Sequence, residues 1–335
     1  MNDKLKSAVP VIDISGYFTG GTEQKLEIAR QIDEAARAVG FFVVSGHGVD
    51  TGLIEDTHRV SKAFYDLPQE GKNACYSGSQ ALYRGYFALG GLAASQSIEE
   101  RKSAPDYREM YVAAKQRFDR SDPYYQTEAA SRIFAPNIWP QVIPGFEDTW
   151  VRYYAAMEQL ASTLIHLCAL ALKLPEDWFD TKFARHMSTM AVTNYPDQLE
   201  PPLPGQLRCG AHTDYGALTL LMAEDKPGGL EVLTKDGEWA PVPMVPNTFI
   251  VNLGDLMQRW TNDAWLSSMH RVANPPSDKA ENSRRQSLIY FLHPNHDAVI
   301  ECIPSCAGDE GARYEPITTQ RHLFAKISRM QDVKN

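Results

Sequence analysis

The first third of the chain mixes short apolar runs with segments of helical periodicity. Residues 9–15, VPVIDIS, form a β-branched run that predicts a short strand. From Thr22 to Val39 the apolar residues recur at the spacing of one helix face, and Gly40 follows where a left-handed cap would end the helix. The run GFFVVSGHGV then predicts a second strand that ends in a glycine-rich turn.

Three further helices are predicted from the same periodicity. One covers about residues 51–67, and a longer one covers about residues 145–173, with Pro175 ending it shortly after its last turn. The stretch from Thr318 to Met330 predicts a final surface helix.

From Met187 onwards the pattern changes to short β-rich runs separated by Gly, Pro, Asn and Asp. Seven such runs are expected to form strands: STMAVTNYP, GAHTDYGALTLLM, GGLEVLT, DGEWAPVP, NTFIVNLGD, SMHRVAN and RQSLIYFLHP. Several short strands at this spacing are typical of an antiparallel sandwich or jelly roll. The predicted fold class is therefore mixed α and β, with a jelly-roll core flanked by helices.

No internal repeat or low-complexity segment divides the chain, so we expect one structural unit. Within it we predict an N-terminal region packing on the core (1–120), a helical linker region (121–185), a catalytic jelly roll (186–295) and a C-terminal strand and helix (296–335).

Composition excludes several classes of function. The chain has 335 residues and a net charge of −9, which argues against binding nucleic acid, because phosphate contacts need clustered Lys and Arg. No apolar run is long enough to predict a membrane span, and the N-terminus has no apolar stretch of a secretory signal. Five scattered cysteines predict free thiols. We expect a cytoplasmic monomer or weak homo-oligomer that acts on a small molecule.

The candidate chemistry begins with His212-Thr213-Asp214. Residues i and i+2 of a strand point to the same face, so the imidazole and the carboxylate would project together. His270, in the run SMHRVAN, is the best-placed third ligand from another strand. Two histidines and one carboxylate on one face leave positions open for substrate and dioxygen, as in non-haem iron(II) oxygenases.

Two other interpretations of this motif stay open. An HxD pair alone could lie on an exposed strand, and a His₂Asp set could also hold zinc with a bound water. Arg285 and Ser287 favour the oxygenase, because they share a strand face and together offer a bidentate fork and a hydroxyl to a carboxylate. A zinc hydrolase has no evident need for that pair.

These residues lie within a longer ordered set of motifs. The first half carries VPVIDIS, GFFVVSGHGV, FYDLP, YRGY, DYREMY and NIWP, and the second carries TNYP, AHTDYGALTLL, GGLEV, NLGDLMQRWTND, HRV and RQS. In this order, over nearly the whole chain, the sequence resembles the 2-oxoglutarate- and iron(II)-dependent dioxygenases of the isopenicillin N synthase-like family.

The resemblance implies a double-stranded β-helix core with iron(II) held by His212, Asp214 and His270. It also implies that Arg285 and Ser287 bind the distal carboxylate of 2-oxoglutarate and that Tyr195 donates a further hydrogen bond to it. One departure is a longer connection between HRV and RQS, whose Pro, Ser, Asp and Asn content predicts an exposed loop.

The implied reaction consumes 2-oxoglutarate and O₂, releases succinate and CO₂, and oxidises an unactivated C–H bond. Hydroxylation, desaturation and cyclisation are all outcomes of that chemistry. The stretch 86–97, YFALGGLAASQS, has few charges and predicts an apolar lid, hence a small to medium organic substrate.

Three alternatives remain at this point. An oxidase of the isopenicillin N synthase type would bind its substrate's own carboxylate with Arg285 and Ser287 and would not use 2-oxoglutarate. A catalytically inactive scaffold would keep the fold and bind a ligand, and the zinc hydrolase is the third. Apart from the residues assigned to iron and 2-oxoglutarate, we expect Asp255 to form a turn and His293 and His296 to decorate the turn after the last core strand.

Overall fold

The structure is a computed structural model that describes residues 9–78, 83–97 and 104–331. The described chain forms strands β1 to β14 at Val11–Asp13, Phe41–Ser45, Gly85–Phe87, Glu109–Ala114, Thr189–Tyr195, Cys209–His212, Leu218–Ala223, Leu230–Leu233, Trp239–Pro241, Phe249–Leu253, His270–Val272, Arg285–Leu292, Val299–Ile300 and Ile317–Thr318. The helices α1 to α9 cover Ser15–Thr19, Thr22–Ala38, Thr51–Tyr65, Gln69–Asn73, Glu128–Ile133, Phe146–Ala171, Asp180–Phe183, Asp255–Trp260 and Thr319–Gln331.

An eight-stranded sheet in the order β1-β2-β10-β7-β12-β5-β4-β3 forms the larger layer. Its strands are apolar on both faces because both faces are covered. In β2, Phe42 and Val44 pack against the helices, whereas Phe41 and Val43 point to the opposite side. This two-residue alternation follows from strand geometry.

A second sheet, in the order β6-β11-β8-β9, packs against that opposite side. Phe41 and Val43 of the large sheet share a buried cluster with Leu230, Val232 and Val272 of the small one. Two antiparallel sheets with a common apolar interior make the jelly roll predicted from the spacing of the runs.

Helices α2, α3 and α6 cover the outer face of the large sheet. The 26-residue helix α6 contributes the largest buried set, in which the ring of Trp150 stacks on that of Phe146 and meets Tyr111 of β4 edge-on. Fully burying side chains of this size contributes about 2–3 kcal/mol each. The helical layer therefore anchors the sheet that carries the site.

Most predicted elements are confirmed: α2, α3, α6 and α9 within one to two residues, and the core strands after residue 187 within about three. The run GAHTDYGALTLLM is an exception, because it forms two strands, β6 and β7, with a turn between them. The short strands β3 and β4 were not predicted; they pair with each other, and β4 extends the large sheet beside β5.

The large sheet draws strands from residues 1–120 and from residues 186–295. These two predicted regions are thus joined by backbone hydrogen bonds, and the four-part division stays a prediction. Among the described helices, none has the length and apolar character that crossing a bilayer requires.

Candidate active site

Three residues that could ligate a metal meet where the two histidine-bearing strands lie side by side. His212 ends β6 and His270 begins β11, and the two are direct antiparallel partners. Asp214 lies two residues beyond the end of β6 and not within a strand as the i, i+2 argument assumed. The three side chains nevertheless point to one place, and their ligand atoms all lie within 4.8 Å of one another.

The spacing suits one ion. The Nε2 atom of His212 is 3.8 Å from Oδ1 of Asp214, and Nε2 of His270 is 3.8 Å from Oδ2 of the same carboxylate. Both distances are below twice a metal–ligand bond of about 2.1 Å, so a single ion can contact each pair.

The protein also fixes the ring orientation of both histidines. Nδ1 of His212 is 2.8 Å from the carbonyl oxygen of Gly210, and Nδ1 of His270 is 3.1 Å from that of Ser268. In the tautomer that these contacts favour, Nδ1–H donates to the carbonyl and the lone pair of Nε2 faces the cluster. The backbone thereby prepares both rings as metal ligands.

Electrostatics keep the cluster in a metal-binding protonation state. Burial, and then the charge of His270, lower the pKa of His212 to about 3, so its imidazole is neutral. Burial raises the pKa of Asp214, but the electrostatic influence of the neighbouring imidazoles of His270 and His212 and a hydrogen bond from Asn252 Nδ2 outweigh it and lower the pKa. A neutral imidazole and a carboxylate anion are the forms that bind metals.

A glycine allows the chain to turn directly after the carboxylate. A Cβ on Gly216 would lie 2.4 Å from Nδ1 of His293 and 2.7 Å from the carbonyl oxygen of Leu292. Both contacts are too short for any side chain, so residue 216 must be glycine for the loop after Asp214 to pack against the end of β12.

The donor set fits a divalent ion with open positions. Three protein ligands, a partly buried His212, a buried His270 and the Asp214 carboxylate, leave the remaining coordination sites to small molecules, as expected for non-haem iron(II). Among the described residues this is the single group of three or more His, Cys, Asp or Glu side chains that the structure brings together in this way.

The structure also brings Arg285, Ser287 and Tyr195 together. Arg285 opens β12 and pairs directly with Tyr195 at the end of β5, and its guanidinium carbon is 5.9 Å from the Tyr195 ring centroid. Ser287 follows on the same face, opposite Thr193. All three predicted side chains are buried.

Arg285 is a buried charge without a carboxylate partner among the described residues. Its Nη1 donates to the carbonyl oxygen of Gly228 at 2.6 Å, and its Nε is buried without a hydrogen bond. Burial lowers the pKa of this guanidinium. Burying an unpaired charge costs several kcal/mol, so this position favours binding an anion.

A second buried arginine, Arg208, was not identified from the sequence. Its guanidinium carbon lies 5.9 Å from the centroid of the same Tyr195 ring. Its Nη1 and Nη2 atoms donate to the carbonyl oxygens of Pro227, Pro196 and Ser283. These bonds fix the loops around Arg285, and the only sequence signal was an arginine placed just before an apolar strand.

The other end of the same face of β12 lines a cavity that reaches His212 and Asp214. Phe291 is four positions after Ser287 in β12, which corresponds to about 13 Å along the strand. Besides these residues the cavity is lined by Tyr83, Ala94, Arg108, Met110, Thr189, Tyr215, His293, Leu323 and Ile327.

Three expectations need correction here. His293 does not decorate an exposed turn: it is 8% exposed, lines the cavity, and burial lowers its pKa to about 3. His296 is also buried, against the ring of Tyr124. Helix α9 is not only a surface helix, because Leu323 is 1% exposed and forms part of the cavity wall.

Asp255 does more than form a turn. It begins α8 and lies 3.0 Å from Nζ of Lys326 and 3.6 Å from Nε2 of His322, both on α9. Its other oxygen accepts a hydrogen bond from Ser267. The side chain therefore fixes the helix that closes the cavity.

Two family models match the sequence. The model described as "non-haem dioxygenase in morphine synthesis N-terminal" matches residues 9–142, and that of the "2OG-Fe(II) oxygenase superfamily" matches residues 186–294. Together they span most of the chain.

Individual relatives agree with the models. A 2-oxoglutarate-Fe(II) type oxidoreductase, hxnY, of Emericella nidulans is 33% identical over 94% of this chain and 88% of its own length. Homoarginine-6-hydroxylase of Oryza sativa is 31% identical over 96% of each. Among solved structures, a full-length Neurospora crassa protein in complex with alpha-KG superposes with a TM-score of 0.83 at 29% identity, over 96% of this chain and 95% of that one.

Proposed function

Because this chain belongs to the 2OG-Fe(II) oxygenase superfamily, we propose that His212, Asp214 and His270 bind its iron(II) and that Arg285, Ser287 and Tyr195 bind 2-oxoglutarate. The chain is an Fe(II)/2-oxoglutarate-dependent dioxygenase with a double-stranded β-helix core. The proposal assigns the two ligands of that reaction to named side chains.

The single observation that carries this assignment is the convergence of the three ligand atoms within 4.8 Å, beside a buried arginine that has no carboxylate partner among the described residues. The metal cluster needs a cation and the arginine needs an anion. A dicarboxylate that chelates the metal at one end and reaches Arg285 at the other satisfies both demands.

Each assigned residue has a specific task. The carbonyls of Gly210 and Ser268 hold the two imidazoles in the tautomer that presents Nε2, and Asn252 orients the Asp214 carboxylate. Arg285 offers its unsatisfied Nε–H to the distal carboxylate, Ser287 adds a hydroxyl donor, and the phenol of Tyr195 lies beside them. With 2-oxoglutarate and dioxygen, bound iron(II) supplies the oxidising chemistry that releases succinate and CO₂.

The walls of the cavity exclude water and position the substrate. Met110, Phe291, Leu323 and Ile327 give it an apolar lining next to the metal ligands. Keeping water out protects reactive species from side reactions. We propose that an unactivated C–H bond of a small to medium organic metabolite is held there for hydroxylation, with desaturation or cyclisation as related outcomes.

The relatives support this range of substrates. Their names refer to homoarginine in rice and to validamycin A in Streptomyces hygroscopicus, and one structure of the Neurospora crassa protein is a complex with thymine. Since several relatives are named as 2-oxoglutarate-Fe(II) oxidoreductases, they favour a 2-oxoglutarate-dependent enzyme over an oxidase of the isopenicillin N synthase type, an inactive scaffold or a zinc hydrolase. A cytoplasmic location and a monomeric or weakly homo-oligomeric state stay predictions.

The test is an anaerobic titration of the metal-free protein with iron(II) and then with 2-oxoglutarate. We expect a weak visible charge-transfer band, which requires the keto acid to chelate protein-bound iron. Iron binding without the band would favour the 2-oxoglutarate-independent oxidase. Absence of both would remove the metal assignment.

A further inference from the structure

We propose that Arg108 anchors the substrate and that the substrate therefore carries a carboxylate at one end and an apolar body at the other. This inference rests on the proposed function, because it identifies the substrate pocket as the cavity beside the metal cluster. It concerns a residue that none of the assigned metal or cosubstrate contacts uses.

Arg108 lies just before β4 and lines the cavity together with His212 and Asp214. It is 9% exposed. Its Nε and Nη2 atoms bind Oδ2 of Asp106, at 3.1 and 3.0 Å. No hydrogen bond to the described residues occupies Nη1, so one side of the planar guanidinium stays available to a ligand.

Asp106 fixes Arg108 but neutralises it only in part. The same carboxylate accepts hydrogen bonds from the backbone nitrogens of Ala94 and Gly210, at 3.1 and 2.9 Å. Its charge is thus shared among four donors, two of them on the backbone. Arg108 is held rigidly and keeps capacity for a second anion, as preorganised binding requires.

The other lining residues restrict the class of anion. Among the described residues that line this cavity, Arg108 is the only Lys or Arg and Asp214 is the only acid. A phosphate, with up to two charges and three acceptor oxygens, would find no second Lys or Arg among these described lining residues. A carboxylate matches both the single charge and the planar edge of one guanidinium.

The rest of the cavity suits an apolar body. Met110 and Phe291 line one side, and α9 contributes Leu323 and Ile327. A molecule anchored at Arg108 would lay its hydrocarbon portion along these side chains and beside the metal ligands. Its unactivated C–H bonds, and not its polar end, would then face the oxidising centre.

The test uses the iron(II)-loaded protein, anaerobic and saturated with 2-oxoglutarate so that Arg285 is occupied. Matched ligand pairs, 4-phenylbutyrate with 4-phenylbutyramide and hexanoate with hexanamide, are titrated while the visible charge-transfer band is followed. We expect the carboxylates to perturb the band at about 10- to 100-fold lower concentrations than the amides, the range of one charge-assisted hydrogen-bonded contact.

Arg108→Met should abolish this preference, so that the carboxylate and the amide of each pair perturb the band at similar concentrations. Arg108→Lys keeps the charge and should retain the preference at weaker affinity, and it serves as the second variant if Arg108→Met does not fold. Arg117→Met, an exposed arginine beyond the other end of β4, is the matched control and should behave like the parent.

Each other outcome has a defined meaning. No band in the parent protein would contradict the proposed function itself. A normal band with equal binding of amides and carboxylates, or with no carboxylate bound, would overturn the anchor and leave the proposed function intact. Loss of the band in Arg108→Met would move Arg108 to the cosubstrate site and overturn the proposal as well.

Discussion

Two buried arginines are proposed to bind the two organic ligands of this enzyme, and they differ in the countercharge that the protein provides. Arg108 is paired with Asp106 at 3.0 Å. Arg285 has no ion pair with any described residue and donates to the carbonyl oxygen of Gly228. Both are at least nine-tenths buried, so solvent compensates neither of them well.

The difference matches the two kinds of ligand proposed. An unpaired buried charge costs several kcal/mol, and the ligand that compensates it gains that energy on binding. Arg285 is therefore suited to a cosubstrate that must bind in every cycle. The charge of Arg108 is already compensated by Asp106, which suits a site that can stay empty until a substrate binds.

The largest effect is expected at the proposed metal ligands, because the cosubstrate and the substrate both react at the bound metal. His212→Ala or Asp214→Ala should abolish iron binding and turnover, because each removes one of three ligands from a buried site. Measured iron content and succinate release test this expectation. Asp236→Ala, in an exposed turn, is the control, and full activity in either ligand variant would contradict the metal assignment.

In the proposed 2-oxoglutarate site, Arg285→Ala should raise the KM for 2-oxoglutarate by one to three orders of magnitude. Losing a charge-assisted bidentate contact costs about 2–4 kcal/mol. The neighbouring Arg284 is a matched control, because it binds Asp66 and Asn194 instead. If Arg285→Ala and Arg284→Ala have equal KM values for 2-oxoglutarate, another residue binds the cosubstrate.

Stability measurements separate the two arginines directly. Asp106→Asn should lower the free energy of unfolding by about 3 kcal/mol, because it leaves Arg108 buried without its countercharge. Arg285→Met should instead leave the metal-free protein as stable as the parent or more stable, since it removes a charge that has no partner. Urea unfolding without metal or 2-oxoglutarate tests both.

The opposite pattern would show that Arg285 and Arg108 do not differ in the way proposed. If Arg285→Met destabilises the protein as much as Asp106→Asn does, Arg285 has a structural role equal to that of the Arg108–Asp106 pair. The double variant Arg108→Met with Asp106→Asn is the control, and it should recover part of the stability lost in Asp106→Asn alone.

The residues proposed to bind 2-oxoglutarate could be selected from the sequence, whereas those proposed to bind the substrate could not, for a physical reason. Arg285 and Ser287 sit on one strand, and strand periodicity places them on the same face whatever the rest of the fold does. The same argument brought His212 and Asp214 together, although Asp214 lies beyond the strand. Helical periodicity gave α2, α3 and α6 almost to the residue.

The proposed substrate cavity depends on contacts between segments that are distant in the sequence, and hydrophobic periodicity does not reveal such contacts. Arg108, His293 and Leu323 meet only because β4, β12 and α9 converge on one cavity. The short strands β3 and β4 lacked flanking turn signals strong enough to predict them. Arg108 and Asp106 are two residues apart in DYREMY, yet their pairing needed the structure.

The smallest effect concerns the wall of the substrate cavity. Burial raises the pKa of Asp255, but bonds with His322, Lys326 and Ser267 outweigh it and lower the pKa to about 2. A carboxyl with a lowered folded-state pKa stabilises the fold above its unfolded value of about 3.9, and this contribution is lost as the pH falls from about 4 to 2. Asp255→Asn should therefore lower the free energy of unfolding by about 2 kcal/mol at pH 7.

Asp255→Asn also distinguishes the substrate cavity from the proposed 2-oxoglutarate site, because Asp255 binds α9 in the cavity wall and makes no bond to Arg285. Urea unfolding at pH 7 and towards pH 3 should show the difference from the parent shrinking as the pH falls, whereas Asp278→Asn, in an exposed turn, should show none. The KM for 2-oxoglutarate should stay unchanged in Asp255→Asn. A raised KM for 2-oxoglutarate would mean that α9 also supports the 2-oxoglutarate site. The two sites could then no longer be treated as independent.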